Sequence, residues 1–236
     1  MADRRSVLIT GGTGVLGTAV TRRFVADGHR VAVSWIDSDE RDRLHADLGD
    51  RAETVLLVEA DVTDSASVGE LVTAVSERNG PVDVLVHLVG GWAGGENVHE
   101  HTTETWDRMH AMNLTSAFLC SRAVLGPMRE RGWGRIVFVS ARTAKRERKG
   151  QAAYAISKAG VAVLAETIAE ENVGLSVTAN CIAPSALDTP ANRKSMPKAD
   201  PARWVPPEDA AAAIAFLASE EAGQLRGAWL PVFGSA

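Results

Sequence analysis

The sequence has few cysteines and no long hydrophobic run. Its two cysteines, Cys120 and Cys181, lie in apolar patterns, so we expect buried thiols rather than a disulfide or a metal site. No run of about eighteen or more apolar residues occurs, and neither end carries an apolar stretch of signal-peptide length. We therefore expect a cytoplasmic protein with no membrane partner. The net charge of -5 argues against nucleic acid as a partner.

Apolar stretches of strand length alternate along the chain with segments of helical periodicity. At 236 residues with 45% hydrophobic content, the chain can bury the core of one domain. The alternation is typical of a parallel sheet with helices on both faces. The sequence therefore predicts a single doubly wound α/β domain over residues 1–236, with about seven parallel strands. The predicted strands are 6–10, 30–35, 54–58, 82–88, 134–140, 175–181 and 228–232, and the predicted helices are 15–27, 40–48, 65–78, 103–130, 152–170 and 207–218.

A glycine-rich turn follows the first predicted strand and opens the first predicted helix. Glycines at such a turn let the backbone approach a pyrophosphate, whose charge then meets the free N–H groups at the helix N-terminus. The turn therefore predicts a dinucleotide site. The expected contacts are Gly11, Thr13, Gly14, Val15, Leu16 and Gly17.

The only tyrosine of the chain, Tyr154, stands four residues before Lys158 in a segment of helical periodicity. Side chains at this spacing project from one helix face, so we expect the phenol and the ammonium to be neighbours. An adjacent ammonium stabilises the phenolate and lowers the phenol pKa from about 10 toward the working pH. The pair therefore predicts a group that donates or accepts a proton.

The glycine-rich turn, the segment 154–158 and the Asn180-Cys181-Ile182-Ala183-Pro184 segment together resemble the short-chain dehydrogenase/reductase family. The resemblance extends from residue 6 to residue 233. It implies a Rossmann-type fold and a hydride transfer from a nicotinamide cofactor to an acceptor, with Tyr154 supplying a proton. It further implies that Lys158 holds the nicotinamide ribose and that Asn113 completes a proton relay.

The resemblance leaves the choice between NAD and NADP open. An acidic residue at the end of the second strand would bind the ribose 2′-hydroxyl and repel a 2′-phosphate. Trp35 stands there instead, which favours NADP, whereas Asp37, followed by Ser38, favours NAD. The further cofactor contacts that the family implies are Asp61, Val62, Gly90, Gly91, Pro184, Leu187 and Thr189.

The chain departs from the family at a serine that hydrogen-bonds the substrate carbonyl. That serine stands thirteen residues before the tyrosine, where this chain has Ala141. Ser140 is one residue early, and adjacent side chains of a strand point to opposite faces. It stays a catalytic candidate that a one-residue bulge would bring to the substrate. Dihydropteridine reductases also lack this serine, and the segments 90–95 and 187–197 resemble theirs.

Aromatic and basic side chains surround the predicted substrate mouth. Trp92 is either a wall for a flat ring or only packs its own loop. Five of the eight residues from Arg142 to Lys149 are basic, which is typical of a solvated loop or of a mouth that attracts an anionic small molecule. A proline-containing segment, about 185–206, is expected to form a substrate lid. The predicted substrate contacts are Trp92, Ala141, Arg142 and Trp204.

The sequence leaves three functions open: a ketone reductase, a reductase of quinonoid or imine-like acceptors, and a dinucleotide-binding regulatory protein without turnover. Tyr154, Lys158 and Asn113 together favour an enzyme, because binding alone needs no phenol. The helices predicted over 103–130 and 152–170 correspond to those with which relatives pair their subunits. A homodimer or homotetramer is therefore expected.

Overall fold

Seven parallel strands form one sheet in a computed structural model that describes residues 4–146 and 149–235. The strand order is β3-β2-β1-β4-β5-β6-β7. Glu147 and Arg148 of the basic segment lie outside the described residues. The strands are β1 Ser6–Thr10, β2 Arg30–Trp35, β3 Leu56–Glu59, β4 Val84–His87, β5 Trp133–Val139, β6 Ser176–Pro184 and β7 Trp229–Val232.

Helices cover both faces of the sheet, which confirms the predicted fold class. Alternate residues of β1 point to opposite faces, so Leu8 joins the core under α3, α5 and α6, while Val7 and Ile9 join the core under α1 and α8. The helices are α1 Val15–Ala26, α2 Ser38–Leu48, α3 Ser65–Asn79, α4 Thr103–His110, α5 Ser116–Arg131, α6 Ala152–Glu171, α7 Pro190–Ser195 and α8 Pro207–Ala218.

One helix, α6, is long and apolar enough to cross a membrane by length and composition alone. Its small and branched side chains, among them Ala153, Val161 and Ala165, are buried in the core. The helix packs on β5 and β6, so its apolar composition is accounted for by the core it helps to fill.

The helix predicted over 103–130 is interrupted. A π-helical turn, Ala111–Thr115, separates α4 from α5. Such turns are often found at functional sites, and this one contains Asn113. The short helix α7 was not predicted, because its one proline and four polar residues carry no apolar periodicity.

The crevice of the sheet lies where the strand order reverses. Strands β2 and β4 flank β1, so the connections that leave β1 and β4 diverge to opposite faces. In open α/β sheets ligands bind in such a crevice, outside the carboxyl ends of the strands. The glycine-rich turn after β1 and the loop after β4 therefore face one site.

A buried histidine ties this crevice together. Ser116 Oγ donates to the Met112 carbonyl at 2.6 Å, so it accepts from His87 Nε2 at 3.0 Å. His87 Nδ1 then accepts from Thr10 Oγ1 at 2.7 Å. This network assigns the proton of the neutral ring to Nε2. The ends of β1 and β4 are thereby joined to the π-turn.

Burial, and secondly the charge of Lys158, lower the pKa of His87 to about 3. Below about pH 6.5 His87 therefore binds a proton in the unfolded chain but stays neutral in the native state. We expect this one group to reduce the free energy of unfolding by about 1.4 kcal/mol per pH unit between about pH 6 and pH 3.

Urea unfolding from pH 7 to pH 4 checks this expectation with His87→Asn, which keeps a polar side chain that does not titrate. The variant should be less stable than the wild type at pH 7, because it loses part of the network, and the difference should shrink as pH falls. Parallel profiles below pH 6 would contradict the assignment.

Candidate active site

The glycine-rich turn fits a dinucleotide pyrophosphate. Gly11 has φ +68°, a conformation that favours glycine, and a Cβ on Gly17 would overlap the carbonyl oxygen of Gly11. No side chain caps the N-terminus of α1 at Gly14. Val15, an expected cofactor contact, is the first residue of α1 and 46% exposed, so it leaves the turn open. The backbone N–H groups of this helix end can therefore receive phosphate oxygens.

At the end of β2 the carboxylate of Asp37 is already engaged. Its Oδ1 accepts from the backbone N–H groups of Asp39 and Glu40 at 2.9 and 3.0 Å and so caps α2, which begins at Ser38. Trp35 is half-buried beneath the guanidinium of Arg41, 4.6 Å from its ring centroid. The prediction that Asp37 reads the ribose therefore gains no support from these contacts.

The expected adenine pair follows β3. The Asp61 carboxylate accepts from the backbone N–H and the hydroxyl of Thr63, at 2.9 and 2.7 Å. These hydrogen bonds lower the pKa of Asp61, so its carboxylate is charged at neutral pH. Val62 is buried in the core. The pair thus builds a rigid turn beside the crevice.

The side-chain amide of Asn113 joins two sides of the site. Its Oδ1 accepts from the Gly91 N–H at 2.9 Å, and its Nδ2 donates to the Gly91 carbonyl at 3.1 Å. Nδ2 also donates to Ser157 Oγ at 3.0 Å, and that hydroxyl donates to the Tyr154 carbonyl at 2.8 Å. The amide therefore fixes the loop after β4 against the first turn of α6.

Lys158 is buried between the loop after β4 and the end of β5. Its Nζ donates to the Val139 carbonyl at 2.9 Å. A Cβ on Gly90 would lie 2.8 Å from this Nζ and 2.7 Å from Asn113 Oδ1. A larger residue there would displace the ammonium and the amide oxygen that flank it. Burial lowers the pKa of Lys158 to about 8.

Tyr154 lies one turn before Lys158 on α6, as predicted, but the expected fall of its pKa is wrong for this arrangement. Burial raises the pKa of Tyr154 to about 12. Among the contacts of the described residues, the Lys158 ammonium bonds the Val139 carbonyl rather than the phenol. The phenol is therefore fully protonated at neutral pH.

The structure does not support Ser140 as a catalytic group. Its hydroxyl donates to the Lys158 carbonyl at 2.8 Å and accepts from Trp229 Nε1 at 3.3 Å, so it joins β5 to α6 and β7. No bulge turns it back, since its N–H continues the ladder to Ile182. Ala141, the residue that follows, occupies the position of the family serine with no hydroxyl to offer.

The remaining predicted substrate contacts divide into exposed and buried side chains. Trp92 is 60% exposed and free to act as an aromatic wall, and the Arg142 guanidinium lies over Phe233. Trp204 is only 7% exposed, and its contact with a substrate stays a prediction.

Backbone pairing of Leu187 with Val205 joins the two ends of the lid segment. Thr189 Oγ1 accepts from the Asn192 N–H at 3.1 Å and caps α7. Pro184 ends β6 and is buried. These residues border the carboxyl end of β6, and their contacts with the cofactor stay predictions.

Several site residues escaped the sequence reasoning. Ser157 links Asn113 to Tyr154. It lies within the segment 154–158, so it could have been found from that motif. Glu40 reaches back to Thr13 at 3.1 Å, a contact that no spacing rule signals. Two buried polar atoms near the mouth, Thr143 Oγ1 and Gln151 Oε1, have no hydrogen-bond partner within the described part of the chain.

Comparison with known proteins decides the family. The family described as "short chain dehydrogenase" matches residues 5–200. The chain belongs to the short-chain dehydrogenase/reductase family. It is 37% identical to 3-oxoacyl-(acyl-carrier-protein) reductase MabA of Mycobacterium tuberculosis (strain ATCC 25618 / H37Rv), over 98% of this chain and 92% of MabA. It is 32% identical to acetoacetyl-CoA reductase of Allochromatium vinosum, over 98% of this chain and 97% of that protein.

Solved structures agree with this assignment. A variant of actinorhodin polyketide ketoreductase, crystallised with NADPH, superposes with a TM-score of 0.91 at 29% identity, over 99% of this chain and 98% of that chain. The chain is thus an NAD(P)-dependent oxidoreductase, and its glycine-rich turn and the Lys158 pocket fit such a dinucleotide. The resemblance to the dihydropteridine-reductase-like branch stays a prediction.

A lysine with a pKa of about 8 makes the rate of reduction depend on pH. The charged form exists below that value, while the Tyr154 phenol stays protonated throughout. We expect kcat/KM for reduction to be level below pH 7 and to fall above about pH 8, because kcat/KM reports ionisations of the free enzyme.

Lys158→Arg tests the assignment, since a guanidinium stays charged to above about pH 12. Its activity should be lower at every pH, but its profile, normalised to pH 7, should stay level to pH 9.5. An alkaline fall near pH 8 that persists in the variant would assign the ionisation to another group.

Proposed function

We propose that this chain reduces a small carbonyl compound with NAD(P)H and that Tyr154 donates the proton. The observation that carries the proposal is the arrangement around Gly90, where the buried Lys158 ammonium and the Asn113 amide meet one turn from the phenol. A buried cation is costly unless it has a task or a partner. Here it has one carbonyl partner and faces the crevice in which the dinucleotide binds.

Each residue of the site has a separate role in the proposed reaction. When bound, the nicotinamide cofactor supplies the hydride. Lys158 would hold the ribose hydroxyls of the bound cofactor and place positive charge near the phenol, which lowers the free-energy cost of its proton loss. Tyr154 passes its proton to the oxygen that gains charge as the carbonyl is reduced. Asn113 holds the loop after β4 and the start of α6 at a fixed separation, so that phenol and nicotinamide site keep their geometry.

The acceptor that we propose is the keto group of a 3-oxoacyl thioester. The names of the two curated relatives support this choice, as both are reductases of such compounds. The mouth supports it too, since cations lie over aromatic rings there: Arg142 5.1 Å from the Phe233 centroid and Lys145 4.8 Å from that of Trp229. Such a surface attracts the phosphates of an anionic thioester.

A quinonoid or imine-like acceptor is the second candidate. Ala141 favours it, because a carbonyl that lacks the usual serine donor loses part of its polarisation, whereas an activated acceptor needs less. The exposed Trp92 would then stack on the flat ring.

Tyr154→Phe tests the chemistry and a panel of acceptors tests the substrate. The variant should bind NAD(P)H with unchanged affinity in calorimetry, and its kcat should fall by about 100- to 10,000-fold, because it loses the general acid alone. Wild-type turnover would be followed at the nicotinamide absorbance with acetoacetyl-CoA, the uncharged N-acetylcysteamine thioester and a quinonoid dihydropterin.

Each acceptor separates one part of the proposal from the others. Faster turnover of acetoacetyl-CoA than of the uncharged thioester, with the difference in KM reduced by salt, supports the anionic substrate. Turnover of the dihydropterin alone would move the assignment to the second candidate. Full activity of Tyr154→Phe would remove the phenol from the mechanism.

We propose further that the protein is a homo-oligomer paired through α5 and α6. Between these helices lies a groove of about 410 Å³, lined by Leu114, Phe118, Gly160 and Val163 among others. Phe118 and Val163 are 46% and 59% exposed in the single chain. The buried, free thiols of Cys120 and Cys181 suit the cytoplasm, where we place the protein.

Light scattering checks the pairing. The wild type should have at least twice the mass of one chain, and Val163→Glu should be a monomer because it buries a charge in the groove. Val173→Glu, equally exposed but beyond the end of α6, serves as the matched control and should keep the wild-type mass. A monomeric wild type would contradict the proposal.

A further inference from the structure

The carboxylate of Glu40 bridges the two segments that border the predicted ribose site. Glu40 lies in the first turn of α2, and its Oε2 accepts from Thr13 Oγ1 at 3.1 Å. Thr13 is buried in the glycine-rich turn. In a dinucleotide fold the adenosine ribose lies between this turn and the end of β2. The contact therefore holds a negative charge near the expected position of the ribose 2′ group, where NAD and NADP differ.

The neighbouring carboxylates differ from Glu40 in their contacts. Asp37 is engaged in the cap of α2, and Asp39 makes no side-chain contact to the glycine-rich turn among those of the described residues. Glu40 keeps its Oε1 for a further donor, with Arg43 Nη2 3.9 Å away. It is thus the carboxylate of this segment that the fold ties to the turn.

The two arginines of the segment offset this charge only in part, since Arg43 Nη2 is 3.9 Å from Glu40 Oε1. Arg41 Nη2 lies 2.7 Å from Asp42 Oδ1, and its guanidinium stacks over Trp35. From Asp37 to Arg43 the chain has four carboxylates and two guanidinium groups. A 2′-phosphate brings about two further negative charges to this place, whereas a 2′-hydroxyl brings a hydrogen-bond donor.

We infer that Glu40 makes this chain prefer NADH to NADPH, by accepting from the ribose 2′-hydroxyl and repelling a 2′-phosphate. The inference rests on the proposed function, since it concerns the cofactor of the same site. The inferred preference for NADH distinguishes this chain from the ketoreductase of similar fold that was crystallised with NADPH.

Calorimetric titration of NADH and NADPH into the wild type, Glu40→Gln and Asp39→Asn tests the inference without turnover. Both substitutions remove one charge from the same helical turn, and both sites are at the surface. The wild type should bind NADH at least about tenfold more tightly than NADPH, because the carboxylate would repel a 2′-phosphate and accept from a 2′-hydroxyl. Glu40→Gln should reduce that ratio about fivefold or more, and Asp39→Asn by less than about twofold, since its charge is screened by solvent.

Each of the remaining outcomes contradicts a defined part of the inference or of the proposed function. Equal or tighter binding of NADPH by the wild type overturns the inference and leaves the proposed function intact. Equal effects of the two substitutions would assign the preference to the overall charge of the segment and not to Glu40. If neither dinucleotide binds the wild type, the proposed function fails together with the inference.

Discussion

The side-chain amide of Asn113 is the interaction on which the candidate site depends. Both of its polar atoms are engaged, since it exchanges two hydrogen bonds with the backbone of Gly91 and donates a third to Ser157. It can reach both partners because the π-turn shifts its side chain out of the regular helical register. The end of β4 and the start of α6 are far apart in sequence, and this amide sets their separation.

Burial has opposite effects on the two titrating groups of the site. It disfavours the charged form of each, so it lowers the pKa of Lys158 to about 8 and raises that of Tyr154 to about 12. At neutral pH the result is a charged ammonium beside a protonated phenol. A reduction needs this pair of states, whereas the reverse reaction would need the phenolate.

The fold could be predicted from the sequence because the same alternation of apolar strand and helix recurs along the chain. Apolar strands flanked by helices recur along the chain, and the first and last residues of β1 and β2 agree with the prediction. The positions of Gly17 and Lys158 also followed from motifs, since only glycine fits such a turn and an i, i+4 pair shares a helix face. These are local rules, which a sequence displays directly.

The failures concern side chains whose partners lie far along the chain. Ser140 was a catalytic candidate, but a tryptophan 89 positions later and the Lys158 carbonyl take its hydroxyl. The fall expected in the pKa of Tyr154 considered its neighbour on α6 but not its burial. His87, for which the sequence predicted no role, has partners on β1 and α5 that no spacing rule connects.

Hydrogen bonds of the edge strand β7 and its flanking residues affect the order in which parts of the protein fold. The Ala228 N–H donates to Asn180, the Ser185 hydroxyl donates to the Phe233 carbonyl, and the Trp229 indole donates to Ser140. During synthesis these late residues leave the ribosome after the other six strands. The floor of the substrate half is therefore completed only when the last strand docks. A nascent chain therefore lacks a complete substrate site until its last strand has been made.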